Sequence, residues 1–420
     1  MKRAVALIDG EHYAPVVRDA LASTPHDVVA AVLLGGTEKL RGGEDYGVPL
    51  APGLEEAIDT YEPQLVLDFS DEPVVGPVER MALASRVLAR GLPYEGADFR
   101  FEAPSFAPVD LPSLAIVGTG KRVGKTAITG HAARLLARDR RVVVVAMGRG
   151  GPPEPEVVRV RPTIDALVEL SRAGRHAASD HLETAALADV DTVGCWRCGG
   201  GLAGAVAVSN VVEGARVAAG LDPELVVFDG SGAALPPVAA ARRVLVGGAH
   251  QDPLVATGYL NRYRLLLADL VVLSLAEDPA ATAALKERVH DVVRDGVPVV
   301  ATVLRPHPAE PVAGRRVAYF CAAPPEAHPV LERHLREVHA ADVVHVSGNL
   351  ADRDALREEL ARVDADVFLV ELKAAAVDVV AEEALARGVE IVLAANDVLT
   401  VPGEPDLDVE LRRLAAEAAA

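Results

Sequence analysis

Short Val-rich apolar runs alternate along this chain with longer segments in which Ala and Leu recur among Glu and Arg. Apolar runs too short for a helix and bounded by turn residues read as strands buried on both faces, and the longer segments as the helices that cover them. In the first hundred residues the alternation predicts strands at 3–8, 28–34 and 65–68, with helices at 13–22, 54–61 and 77–90. The middle of the chain predicts strands at 114–117, 141–147, 225–228 and 270–275 and a helix at 125–137. The last part repeats the pattern, with strands at 316–321, 343–346, 367–370 and 391–393 and helices at 330–338, 353–361 and 377–387. Strand and helix in alternation imply an α/β fold with mostly parallel sheet.

At 420 residues, half of them hydrophobic, the chain has material for two or three domains with buried cores. The formal net charge of −19 argues against general affinity for nucleic acid or anionic membranes, so an anionic ligand needs a local basic cluster. No apolar run approaches the roughly 20 residues of a membrane span, and the opening apolar run is broken at Asp9, too early for a signal-peptide core. A cytoplasmic protein is expected. Three cysteines, Cys195, Cys198 and Cys321, are too few for a disulfide framework and suit a reducing compartment.

The run Leu114 to Thr126 changes the picture most, because an apolar strand feeds a Gly/Lys-rich turn that opens a helix. Gly118, Thr119, Gly120, Lys121, Arg122, Val123, Gly124, Lys125 and Thr126 form the expected nucleotide-binding loop. Backbone N–H groups close on the β-phosphate, Lys125 reaches the β/γ oxygens from a surface loop, and the Thr126 hydroxyl ligates Mg²⁺. Thr119 stands where the commonest form of the motif has its first glycine; the loop resembles that of dethiobiotin synthetases. Two of only six lysines in the chain fall here. ATP with Mg²⁺ is therefore the expected ligand.

Downstream, Asp229 ends an apolar strand and is the carboxylate expected to hold Mg²⁺ through water, beside the Thr126 hydroxyl. Arg149, in Met147-Gly148-Arg149-Gly150-Gly151, closes the strand at 141–147, where parallel sheets bind ligands. The segment Thr192 to Gly201 joins C-x-x-C to a glycine run; lacking a second ligand pair it reads as a glycine-rich substrate loop, with Arg197, Gly199 and Gly200 meeting an anion. Lys373 is another rare lysine at a strand end. Asn261 to Arg264 reads as a polar loop of the same half, and Asp9 to Tyr13 as a first strand-to-helix turn.

Taken together, G-T-G-K-R-V-G-K-T at 118–126, M-G-R-G-G at 147–151, G-C-W-R-C-G-G-G at 194–201, I-D-G-E-H-Y at 8–13 and E-L-K-A-A-A-V-D-V-V at 371–380 resemble the cyclic 2,3-diphosphoglycerate synthetase family. The resemblance covers most of the chain. It implies an ATP-dependent ligase, expected as a homodimer, that closes 2,3-diphosphoglycerate or a similar anionic metabolite into a cyclic pyrophosphate, releasing ADP and phosphate. Catalysis falls to Lys125, Lys121, Arg149 and Asp229, substrate binding to Arg122, Arg149, Arg197, Gly199, Gly200 and Lys373, and metal binding to Thr126 and Asp229. The expected organisation is a Rossmann-like domain at 1–108, a P-loop NTPase domain at 109–306 and a C-terminal α/β region at 307–420, possible as a continuation of the P-loop domain. Competing readings are another ATP-dependent ligase or kinase, or a nucleotide-dependent switch or metallochaperone.

Overall fold

In a computed structural model, which describes residues 1–420 apart from the side chain of Lys39, the chain forms two compact units. The first holds residues 1–105 together with 252–267 and 288–294; the second holds 106–251, 268–287 and 295–420. No helix among the described residues is long and apolar enough to cross a membrane.

The first unit is a six-stranded sheet of order β3-β2-β1-β4-β5-β6, formed by β1 (Arg3–Ile8), β2 (Asp27–Leu33), β3 (Leu50–Ala51), β4 (Leu65–Asp68), β5 (Tyr94–Glu95) and β6 (Arg100–Phe101). Its strands are parallel except for β6, as a Rossmann-like reading requires. Asp9 is buried at the carboxyl end of β1, where Oδ1 accepts from the Glu11 and His12 amides and Oδ2 from the Asp71 amide beyond β4. One carboxylate thus satisfies the amides of two loops. Asn261–Leu267, read from sequence as a polar loop beside the nucleotide half, is a helix that belongs to this first unit, with Tyr263 and Arg264 buried.

The second unit is a 13-stranded sheet. Its first part comprises β7 (Ser113–Gly118), β8 (Val142–Gly148), β9 (Glu156–Val158), β10 (Asp191–Cys198), β11 (Val208–Ser209), β12 (Leu225–Asp229), β13 (Arg242–Gly248), β14 (Leu270–Ser274) and β15 (Val299–Pro308). Then follow β16 (Arg316–Phe320), β17 (Asp342–Ser347), β18 (Val367–Glu371) and β19 (Glu390–Thr400). Every residue of β7, β8, β12 and β14 is buried, which is why they read as unbroken apolar runs. The helix Lys125–Leu136 lays Ile128, Ala132, Leu135 and Leu136 on these strands.

The two parallel parts of this sheet meet at an antiparallel joint. β15 pairs with β14 only over Val299–Ala301, then runs on against β19, with Thr302 opposite Thr400 and Pro308 opposite Ala394. β18 is parallel to β19, with Glu371 opposite Ala394. It therefore runs towards the joint and ends at it, and the carboxyl ends of β18 and β16 face those of the P-loop strands.

Candidate functional site

β7 delivers the chain into the phosphate-binding turn at Gly118, whose N–H donates to the Gly232 carbonyl at 3.1 Å. The Thr119 amide donates to Val246 O at 3.0 Å and its hydroxyl to Gln251 Oε1 at 2.6 Å, tying the turn to the end of β13. Arg122 has a left-handed backbone (φ 59°), and the exposed Lys121 and Arg122 side chains lead outward. Gly124 is also left-handed (φ 73°), and a Cβ there would lie 2.9 Å from Ser274 Oγ and 3.0 Å from Leu304 Cδ1. Only glycine fits that position without displacing its neighbours. Ser274 Oγ donates to the Val123 carbonyl at 2.5 Å, fixing the turn from the end of β14.

Lys125 and Thr126 open the helix Lys125–Leu136. Lys125, expected on a surface loop, is instead buried, because its ammonium folds back onto Asp229 at the end of β12, with Nζ 2.5 Å from Oδ1. Thr129, one helical turn further, donates to the same oxygen at 2.5 Å. Asp229 Oδ2 is buried with no hydrogen-bond partner. An orphaned carboxylate oxygen beside the start of this helix fits a hard cation, and Thr126 and Asp229 are the groups that would hold Mg²⁺.

Cations gather on the other side of the turn. Arg149 follows β8, and a Cβ built on Gly232 (φ 59°) would lie 3.4 Å from Arg149 Nη2 and 3.8 Å from Lys121 Cγ. Thr192 to Cys198, read from sequence as part of a glycine-rich loop, lies instead on β10, and only Gly199 to Gly201 continue as loop. Arg197 is buried in β10, with Nη1 donating to Gly199 O at 3.1 Å and Nη2 to Ser231 O at 2.9 Å. Burial, reinforced by the charge of Arg149, lowers its proton affinity. Its Nε is buried without a partner. Gly199 and Gly200 are exposed beside it.

Cys195 is fully buried and Cys198 exposed. Three residues apart on a strand, their side chains leave opposite faces. Burial pushes the Cys195 thiol up to about 12, so it acts as a small packed hydrophobe. Cys195→Ser should cost about 1–3 kcal/mol in denaturant unfolding, and Cys198→Ser no more than about 0.5 kcal/mol. Equal losses would contradict this division.

Lys373 approaches from the facing edge. It follows β18, with Nζ 3.4 Å from Glu371 Oε2 and 3.9 Å from Glu183 Oε1. Glu183 and Asp180 stand on the helix Asp180–Ala188, which packs against the helix of Lys125. Burial raises the Asp180 carboxyl, while Lys125, His176 and Lys373 pull it the other way, so this group senses both lysines. The sequence reading missed Thr129, Asp180 and Glu183. Of these, Thr129 had a local signal, its four-residue spacing from Lys125.

Burial pushes the Glu183 carboxyl up to about 7, against the pull of Lys373. A raised acid is held more tightly when folded, so its stabilising contribution is complete below its ordinary value of 4.5 and is lost as the pH climbs towards 7. Glu183→Gln should therefore gain melting temperature relative to wild type between pH 5 and pH 8, by about 2–4 °C for each kcal/mol released. A constant difference across that range would contradict the raised proton affinity.

Comparison with known proteins bears on all three parts of the chain. Residues 3–102 match the cyclic 2,3-diphosphoglycerate synthetase N-terminal domain, 113–305 its P-loop domain and 308–397 its C-terminal domain. The cyclic 2,3-diphosphoglycerate synthetase of Rubrobacter xylanophilus is 51% identical, covering 99% of this chain and 98% of that protein. The synthetase of Methanothermus fervidus is 40% identical, with 94% and 92% covered, and that of Thermococcus gammatolerans 41%, with 97% and 96% covered. A solved structure of Aquifex aeolicus LpxK in complex with ATP overlaps with a TM-score of 0.47 at 14% identity, covering 82% of this chain and 96% of that one, a likeness too distant to bear on function. The resemblance read from five short motifs thus extends over nearly every residue, and the chain belongs to the cyclic 2,3-diphosphoglycerate synthetase family.

Proposed function

We propose that the protein is an ATP-dependent ligase that closes 2,3-diphosphoglycerate into cyclic 2,3-diphosphoglycerate, releasing ADP and inorganic phosphate. The observation that carries this beyond family membership is the arrangement of cations in an otherwise acidic chain. The Arg149 guanidinium and the stem of Lys121 lie beside Gly232 at the phosphate-binding turn, and Lys373 approaches from the opposed strand end. Two polyanions have to be held together in this reaction, and such a ring of charge offsets their repulsion.

In this reading an oxygen of one substrate phosphate attacks the γ-phosphorus of ATP. The bond from that phosphorus to the β-γ bridging oxygen breaks, and ADP leaves. An oxygen of the second substrate phosphate then attacks the phosphorus of the first, the bond to the transferred group breaks, and inorganic phosphate leaves as the ring closes. Neither step needs a base, because the attacking oxygens are already anionic. Lys125 releases Asp229 to meet the β/γ oxygens, the turn amides hold the β-phosphate, and Lys121 and Arg149 draw the substrate phosphate into line. Thr126 and Asp229 would hold Mg²⁺, which would offset the negative charge of the triphosphate.

A homodimeric, cytoplasmic enzyme remains part of this reading, and light scattering on the purified protein measures the first. The deciding experiment is ³¹P NMR with Mg-ATP and 2,3-diphosphoglycerate, where a cyclic pyrophosphate signal should grow in step with ADP. ATP consumption without that signal would assign the site to another phosphoryl acceptor.

A further inference from the structure

Glu371 ends β18 with its side chain 9% exposed, and groups from the ends of β16 and β18 and from the middle of β19 hold its carboxylate. Oε1 accepts from Tyr319 Oη at 3.4 Å and Asn396 Nδ2 at 3.2 Å; Oε2 accepts from the Ala322 amide at 3.0 Å and Lys373 Nζ at 3.4 Å. Four donors on a buried carboxylate leave it little freedom. The backbone that follows is equally constrained. The Lys373 amide donates to Glu371 O at 2.7 Å, Ala374 is left-handed (φ 46°), and Ala376–Ala381 is wound as a π-helix, where the sequence predicts ordinary helix. A left-handed alanine is strained, and π-turns cluster at functional sites. Glu371 and Glu183 also favour the charged form of Lys373.

We propose that Glu371 is a positioning residue: anchored by Tyr319, Ala322 and Asn396, it aims Lys373 as the cationic pole for the substrate phosphate that lies away from the phosphate-binding turn. This rests on the function above. The strained turn at Ala374 fixes the backbone of Lys373, and the carboxylate fixes its ammonium. The facing strand ends then hold ATP at Lys125 and the far phosphate of the substrate at Lys373.

A double-mutant cycle tests it, using the full-length enzyme with Mg-ATP and 2,3-diphosphoglycerate. Glu371→Gln and Lys373→Ala should each raise KM for 2,3-diphosphoglycerate about 10–100-fold while KM for ATP changes less than about 3-fold. Because Glu371 acts only through Lys373, the double variant should be no worse than Lys373→Ala alone. A merely structural carboxylate would lower the melting temperature and leave both KM values in place, or add its effect to that of Lys373→Ala; either result overturns the proposal. If Glu371→Gln does not fold, Tyr319→Phe removes one anchor and keeps the charge. It should raise the same KM about 2–5-fold in wild type and not at all in Lys373→Ala, and an equal rise in both backgrounds overturns the proposal. Wild-type enzyme that makes no cyclic product would sink the functional reading and this inference with it, whereas normal product with unmoved KM values sinks the inference alone.

Discussion

Lys125→Ala should lower turnover by about 10³-fold or more, equivalent to about 4 kcal/mol of transition-state stabilisation. The reason lies in the exchange that Lys125 makes. Its ammonium is neutralised by Asp229 at 2.5 Å, and in the proposed function the same charge turns to the β/γ oxygens, where negative charge accumulates. Because both groups are buried, the substitution also leaves Asp229 with only Thr129 as a partner. A stability loss of about 1–3 kcal/mol should accompany the kinetic one. Turnover is therefore to be measured well below the variant's melting temperature. Folded Lys125→Ala enzyme with the wild-type rate would remove this loop from catalysis.

Arg149→Ala should have the next largest effect, and a cleaner one. The side chain is exposed, so its loss should leave the melting temperature within about 1–2 °C of wild type. Its position beside Gly232 and Lys121 predicts a KM for 2,3-diphosphoglycerate raised about 10–100-fold, with Mg-ATP affinity little changed. Titration calorimetry separates the two ligands, and lost ATP affinity with unchanged substrate affinity would move Arg149 to the nucleotide. Arg197 makes an instructive contrast. Both of its terminal nitrogens are bound to backbone carbonyls, so Arg197→Ala should lower stability together with substrate affinity.

What the sequence disclosed follows from how local each signal is. The strand at 114–117, the turn and the helix behind it lie within about two dozen residues, so their residue pattern is legible locally, although Gly232, Val246, Gln251 and Ser274 hold the turn from far along the chain. Asp229, Arg149 and Lys373 were legible as charged residues at the ends of buried strands, where such strands present ligands. The partners that define their roles were not. Asp180 and Glu183 sit in an ordinary-looking helix, and only the folded chain brings them to Lys373. β19 was read as the three residues 391–393, whereas the strand runs from Glu390 to Thr400, through the polar pair Asn396-Asp397 that interrupts the apolar run. The glycine run likewise hid the strand that carries Arg197, and the return of 252–267 to the first unit leaves no trace in local pattern.

The antiparallel joint between β15 and β19 acts as a ruler. Seven residue pairs, from Thr302 with Thr400 to Pro308 with Ala394, set how far the carboxyl end of β18 stands from that of β14. A ladder of that length stretches little, so the span between Lys125 and Lys373 belongs to the backbone and not to either side chain. Under the proposed function, acceptors are then sorted by reach: a molecule with one phosphate meets either the nucleotide end or Lys373, and a doubly phosphorylated one meets both. Lengthening the joint by two residues on each strand would preserve which face every side chain occupies and move the ends apart, altering substrate choice without touching a residue of the site.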